Sequence, residues 1–99
     1  MKINILHVTF DMHIGGTEQV IKNLVEATDR SLFNTSILCI ESPIGPFGEM
    51  LIDQGFQIDS LSRKEGFDVK LIFEIRKYII RNNIDIVHCH AVDIDFTDL

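Results

Sequence analysis

Apolar residues in this chain follow two alternating patterns: short continuous runs, and longer segments with an apolar residue every three or four positions. The runs predict buried β-strands, and the longer segments predict helices with one apolar face. Predicted strands cover residues 3–9, 34–41, 56–61 and 84–90, and predicted helices cover residues 17–28, 49–54 and 69–81. Strands separated by helices pair in parallel through right-handed crossovers. The predicted fold class is therefore α/β, a Rossmann-like parallel sheet of about four strands in the order 3-2-1-4.

Candidate caps bound the predicted helices. Gly55 is placed to end the second helix, Asp68 to begin the third, and Asn82-Asn83 to end it. The stretch 42–48, rich in proline and glycine, is predicted to be a loop. The apolar faces predicted to be buried comprise Val20, Ile21, Leu24, Val25 and Ala27 on the first helix and Val69, Ile72, Ile75, Tyr78 and Ile79 on the third.

The fourth predicted strand lies at an edge of this sheet, although Ile84, Ile86 and Val87 make it apolar. Native domains seldom leave such an edge open. We therefore expect the chain to be part of a larger protein, with self-association through the fourth strand as the alternative. Residues 1–90 form the expected partial domain, and the acidic segment 91–99 has no assignment.

Composition narrows the classes of partner. The chain carries a net charge of −6 and 45% apolar residues, which is an ordinary globular balance without the basic surface that nucleic acids require. Cys39 and Cys89 fall in apolar runs and are predicted to be small buried residues. The sequence shows neither a signal-peptide pattern nor an apolar run of ~20 residues, so we expect a cytoplasmic location.

A polar turn that ends in Gly15 and Gly16 connects the first strand to the first helix. Helix N-termini attract anions, and open α/β sheets bind ligands at the carboxyl ends of their strands. The amides of Gly16 and Thr17 are therefore a candidate phosphate or sugar site, and a tight turn that needs positive φ is the alternative. Glu18 complements the helix dipole, and His13 faces either the cleft or solvent. The spacing matches neither the dinucleotide fingerprint nor the P-loop.

His88 and His90 form the second candidate site. Alternate residues of a strand share a face, so both imidazoles are expected on one side of the sheet and Cys89 on the other. A metal site is disfavoured, because Zn²⁺ takes three or four protein ligands and the sequence offers no evident third ligand beside these two histidines. The alternative is a polar strand end that lines a cleft, with His90 nearest the ligand. His7, in the middle of the first strand, is expected to be a core histidine.

These two segments together resemble the family-4 retaining glycosyltransferases. Residues 15–24 (GGTEQVIKNL) are similar to the G-G-x-E-x-x-[IVL]-x-x-[LI] pattern that begins the first helix in that family. Residues 85–90 (DIVHCH) are similar to the family's D-[IV]-[IV]-H-x-H strand. The resemblance extends over residues 1–90.

The resemblance implies a GT-B architecture, in which two Rossmann-like domains enclose the active site and this chain supplies an incomplete acceptor-side domain. It implies retaining transfer of a sugar from a nucleotide sugar to a glycan or glycolipid, usually without a metal or other cofactor. By position, Gly15 and Gly16 would face the donor phosphates and the acceptor, and His90 would donate a hydrogen bond to the transferred sugar. The family's nucleotide-binding domain, with its E-x7-E motif, has no counterpart in these 99 residues. We therefore expect the chain alone to be inactive.

Two other interpretations stay open. The chain is alternatively a non-enzymatic Rossmann-like module that binds a phosphorylated small molecule through Gly15-Gly16, or it acts only by pairing through its fourth strand. Arg76, Lys77 and Arg81 form a basic cluster suited to peripheral membrane contact, although cations near a helix C-terminus explain the same pattern.

Overall fold

A computed structural model of the chain shows a four-stranded, all-parallel sheet with helices on both faces. It describes residues 1–10, 12, 16–41, 44–63 and 69–90. The strands are β1 (Ile3–Thr9), β2 (Phe33–Glu41), β3 (Gln57–Arg63) and β4 (Ile86–Cys89), and the helices are α1 (Gly16–Ala27), α2 (Pro46–Asp53) and α3 (Val69–Arg81). The strand order β3-β2-β1-β4 confirms the predicted Rossmann-like α/β fold.

Each face of the sheet packs into its own apolar cluster. The helices α1 and α2 connect strands on one side of β1, whereas α3 crosses to the other side. Right-handed crossovers therefore place α3 on the opposite face from α1 and α2. The cluster on the α3 face comprises Leu6, Val8, Leu38, Ile40, Leu71 and Ile75, and the cluster on the α1 and α2 face comprises Met12, Ile21, Val25, Ile37, Cys39, Leu51 and Ile58.

The first helix buries a narrower face than its sequence pattern predicts. Ile21 and Val25 are fully buried, whereas Val20, Leu24 and Ala27 are exposed. Residues four apart form a single row along a helix, and α1 meets the sheet along this one row. The prediction that all five residues are buried is wrong for the three on the flanking rows.

The third helix differs from its prediction in the same way. Its buried row is Leu71 and Ile75, and Leu71 is absent from the predicted apolar face. Val69, predicted to be buried, is 67% exposed at the first position of the helix. The other predicted members are only partly buried: Ile72, Tyr78 and Ile79.

The ends of α2 and α3 form Schellman motifs, in which a left-handed residue lets two N–H groups bond back to the last turn. At the end of α2, Gly55 has φ of 95°, and the N–H groups of Gly55 and Phe56 donate to the carbonyls of Ile52 and Leu51 at 2.9 and 3.1 Å. Asn83, with φ of 53°, takes the same position after α3. Both predicted helix ends are confirmed.

Other predicted boundaries differ from the structure. The helix α2 begins at Pro46, not at residue 49, because proline fits the first helical position, where no intrahelical partner exists for an N–H. Asp68 and residues 91–99 lie outside the described residues. No helix in the described part of the chain is long and apolar enough to cross a membrane.

The strand β4 lies at the edge of the sheet, as predicted, and pairs with β1. It is shorter than the predicted 84–90, because the N–H of Ile84 completes the cap of α3 by donating to Ile79 at 3.0 Å. Asp85 then joins the chain to β1. Its N–H donates to the carbonyl of Asn4, and its carboxylate accepts from the N–H of Asn4, both at 2.8 Å.

Candidate functional site

The described candidate residues of both sequence segments lie near the ends of β1 and β4. The strand β2 lies on one side of β1 and β4 on the other, so the connections of the sheet diverge at β1. Open α/β sheets bind ligands at such a topological switch point. His90 follows β4, and its N–H donates to the carbonyl of Val8 at 2.7 Å. Gly16 begins α1, the helix that follows β1.

Strand register determines which face the histidines occupy. His88, His7, Ile37 and Ile58 are register partners across all four strands, and partners in a sheet point to the same face. Ile37 and Ile58 belong to the apolar cluster under α1 and α2, so both histidines lie on that face. Cys89 packs against the cluster on the α3 face, as the alternation of β4 predicted.

His7, His88 and His90 form a cluster that we call the histidine trio. Nδ1 of His7 lies 3.1 Å from Nε2 of His90, a hydrogen bond in which one ring nitrogen donates and the other accepts. The rings of His88 and His90 stack with centroids 4.1 Å apart, and each ring centroid lies 5.3 Å from that of His7. One ring nitrogen of each residue can be chosen so that the three lie within 4.8 Å of one another.

Exposure decreases from His88 at the surface through His90 to His7, which is 5% exposed. Burial, together with the neighbouring His90 and His88, lowers the pKa of His7 to about 4. Burial and the neighbouring His88 also lower the pKa of His90. At neutral pH His7 is therefore a neutral imidazole that retains one nitrogen lone pair.

The glycine segment is only partly described. Gly16 and Thr17 are exposed, and Glu18 is half-buried in the first turn of α1. A Cβ added at Gly16 would meet no atom within 4 Å. The φ angle of Gly16 also lies outside the left-handed region. The fold therefore does not require glycine at this position. Gly15 and His13, also predicted to bind substrate, lie outside the described residues.

A hollow in the described part of the chain lies elsewhere. It has a volume of about 330 Å³ and is lined by residues at the amino ends of the strands, including Lys2 and Asn34. Arg30 and Phe56 also line it, with the guanidinium of Arg30 3.9 Å from the ring centre of Phe56. This hollow lies at the amino ends of the strands, whereas His90 lies at their carboxyl ends. None of the predicted site residues lines the hollow.

Strand alternation predicts the shared face of His88 and His90 but not the contribution of His7. The expectation that His7 is a core histidine agrees with its burial. Nδ1 of its ring, however, bonds to His90. The predicted strand order already contained the signal, because it made β1 and β4 neighbours and each carries a histidine. Only the register places those two histidines opposite each other.

Comparisons with protein-family models, with curated proteins and with solved structures find no match to this chain.

Proposed function

We propose that the chain forms the acceptor-side half of a sugar-transfer site in a retaining glycosyltransferase that uses a nucleotide sugar to build a glycan or glycolipid. The observation that carries this proposal is the parallel order β3-β2-β1-β4. Two segments resemble the family, one at the beginning of α1 and the other at the end of β4. The strand order brings both to the side of the sheet where the carboxyl ends of the strands lie. A catalytic role for His90 and a binding role for Gly16 both require this arrangement.

His90 would act by donating a hydrogen bond to a hydroxyl of the transferred sugar. Its Nε2 is already bound to His7, so Nδ1 is the nitrogen that we assign to the sugar. A neutral imidazole carries one proton. If Nδ1 of His90 donates, Nε2 must accept, and Nδ1 of His7 must then be the donor between the rings. His7 is therefore a positioning residue that selects the tautomer of His90.

The N-terminus of α1 would bind the phosphate or acceptor groups beside this sugar. Unpaired backbone N–H groups and the helix dipole favour negative charge there. Open space at Gly16 lets a ligand approach the backbone closely. Transfer also requires cationic or dipolar groups that stabilise the leaving diphosphate, and one wall of a cleft does not supply them. We expect the isolated chain to bind an acceptor without turnover.

The test is a titration of the isotope-labelled 99-residue chain, followed by amide chemical shifts. The probes are neutral oligosaccharides, nucleotide diphosphate sugars and free nucleotides. We expect an oligosaccharide to shift the amides of Gly16 and His90 and to leave Asn34, at the opposite strand ends, unchanged. His90→Ala, which removes the donor, should weaken that binding by about tenfold, the effect of one hydrogen bond of roughly 1.4 kcal/mol.

Two outcomes would contradict the proposal. A response limited to nucleotides, with no effect of any saccharide, would favour the alternative binding module for a phosphorylated small molecule. The open approach to Gly16 at the start of α1 is the observation that favours this alternative. Sugar transfer by the purified 99-residue chain would refute the expectation that this half is inactive alone.

A further inference from the structure

The histidine trio brings three imidazoles together on one face of the sheet, and their solvent exposure decreases from His88 through His90 to His7. Because His7 and His88 are register partners on adjacent strands, the backbone ladder sets their spacing. His90 is held beside them by the hydrogen bond that its backbone N–H donates to the carbonyl of Val8. The three ring nitrogens, chosen one per residue, all lie within 4.8 Å of one another. We infer that His7, His88 and His90 form a binding site for one divalent transition-metal ion, best suited to Zn²⁺.

A three-histidine site needs its ligand nitrogens closer together than the 4.8 Å within which those of the trio lie. Zn–N bonds are ~2.0–2.1 Å long, so two tetrahedral ligand nitrogens are separated by about 3.3 Å. His7 and His90 already have facing nitrogens 3.1 Å apart. Because these two nitrogens face each other in a hydrogen bond, the rings of His7 and His90 must both turn for their lone pairs to point at one ion. The exposed ring of His88, which stacks on His90, must turn with them.

The donor set favours a transition metal over Mg²⁺ or Ca²⁺. Imidazole suits Zn²⁺, Cu²⁺ and Ni²⁺, whereas the harder cations require oxygen ligands. Three imidazoles with a fourth position open to water are a known pattern for Zn²⁺. Cys89 is adjacent in sequence to two members of the trio, but it lies on the other face of the sheet and does not join the donor set.

Binding requires a rearrangement of protons within the trio. In the absence of metal, one proton lies between Nδ1 of His7 and Nε2 of His90. Both nitrogens must present a lone pair to the ion, so each ring then carries its single proton on the other nitrogen. His90 would keep Nδ1–H, the atom assigned above to the sugar. The two roles use different nitrogens, and the metal site rests on the trio alone, not on the proposed sugar transfer.

The inference is tested by titrating the chelator-treated 99-residue chain with Zn²⁺ in a calorimeter and with Co²⁺ in an absorption spectrometer. We expect one equivalent of Zn²⁺ to bind per chain. Loss of a residue that only hydrogen-bonds to a metal ligand weakens metal binding by about 10–100-fold. His88→Gln removes a ligand itself, so we expect it to weaken Zn²⁺ binding by more than about 100-fold. His88 is exposed, which makes this variant the one least disruptive to the fold.

Cys89→Ala is the matched control, because it removes a metal-binding side chain between His88 and His90 on the opposite face. It should change the affinity by less than about twofold. Imidazole ¹⁵N shifts should also show Nδ1 of His7 and Nε2 of His90 as the ligating atoms. Failure to bind Zn²⁺, or equal losses in His88→Gln and Cys89→Ala, would overturn the metal site. Saccharide binding in metal-free buffer is a separate readout and tests only the proposed function.

Discussion

Two glycines show how the same residue can serve the fold at one position and remain open to a ligand at another. Gly48 lies inside α2, where an added Cβ would collide with the side chain of Ile44 and come within 3.2 Å of Cβ of Met12. Gly16 lies at the start of α1, where an added Cβ would touch nothing. Of these two glycines, packing therefore requires the one at residue 48 and not the one at residue 16.

This contrast predicts opposite effects for two identical substitutions. Gly48→Ala should lower the free energy of unfolding by about 1–3 kcal/mol, the usual cost of overpacking a core. Gly16→Ala should change it by no more than about 0.5 kcal/mol, as expected for an exposed site. Urea denaturation of both variants measures the two values. If Gly16→Ala is as destabilising as Gly48→Ala, then glycine at residue 16 serves the fold.

At the scale of elements, a polar contact joins α3 to β3. The hydroxyl of Tyr78 donates to Asp59 at 2.6 Å and accepts from the side-chain amide of Gln57 at 2.9 Å. Burial, reinforced by the carboxylate of Asp59, raises the pKa of Tyr78 above its ordinary value. Ionisation of this tyrosine in the folded protein would place a phenolate beside a carboxylate.

The raised pKa predicts a loss of stability in alkaline solution. The folded state prefers the protonated phenol of Tyr78. The stability that this preference contributes is therefore complete below pH ~10, the pKa of tyrosine in the unfolded chain, and is lost as pH rises beyond that value. Tyr78→Phe should cost about 1 kcal/mol at neutral pH, through the lost hydrogen bond, and should flatten the decline above pH ~10.

Absorbance offers a direct check, because Tyr78 is the only tyrosine in the chain and there is no tryptophan. The phenolate band of the folded protein should form with a midpoint above pH ~10. A midpoint at the ordinary value, or an identical alkaline decline in Tyr78→Phe, would show that the contact with Asp59 does not control the titration.

Local pattern predicted the elements well and their contacts less well. Periodicity located all seven described elements, because strand and helix spacing are properties of neighbouring residues. It overestimated the buried face of α1, since Val20 and Leu24 are apolar but exposed. It also began α2 late, because the stretch 42–48, rich in proline and glycine, predicts a loop, although Gly45 and Pro46 form the N-cap and the first helical position.

At the scale of the whole molecule, the histidine trio joins residues that are distant in sequence. His7 and His90 are 83 positions apart, and their ring contact exists only in the folded sheet. A ligand that binds all three residues of the trio therefore binds the folded state selectively. Such selectivity converts binding affinity into stability.

This linkage predicts that Zn²⁺ raises the thermal unfolding temperature. At a free concentration of about 100 times Kd, stabilisation is about 2.7 kcal/mol, which for a chain of this size raises Tm by about 13 °C. Calorimetric scans of the chelator-treated chain with and without Zn²⁺ measure the shift. His88→Gln should lose most of it at the same Zn²⁺ concentration, and Mg²⁺ should have little effect on either protein. An equal rise in His88→Gln would place the ion elsewhere.

The order and type of the elements, the parallel pairing and the strand order follow from residue pattern, because periodicity, caps and crossover handedness are local or topological constraints. The shared face of His88 and His90 follows in the same way from strand alternation. The third histidine does not, because its contact depends on the register between β1 and β4 and on the bond from His90 to Val8. Register is set by packing of the whole sheet, so only the folded molecule turns a histidine pair and a core histidine into one site.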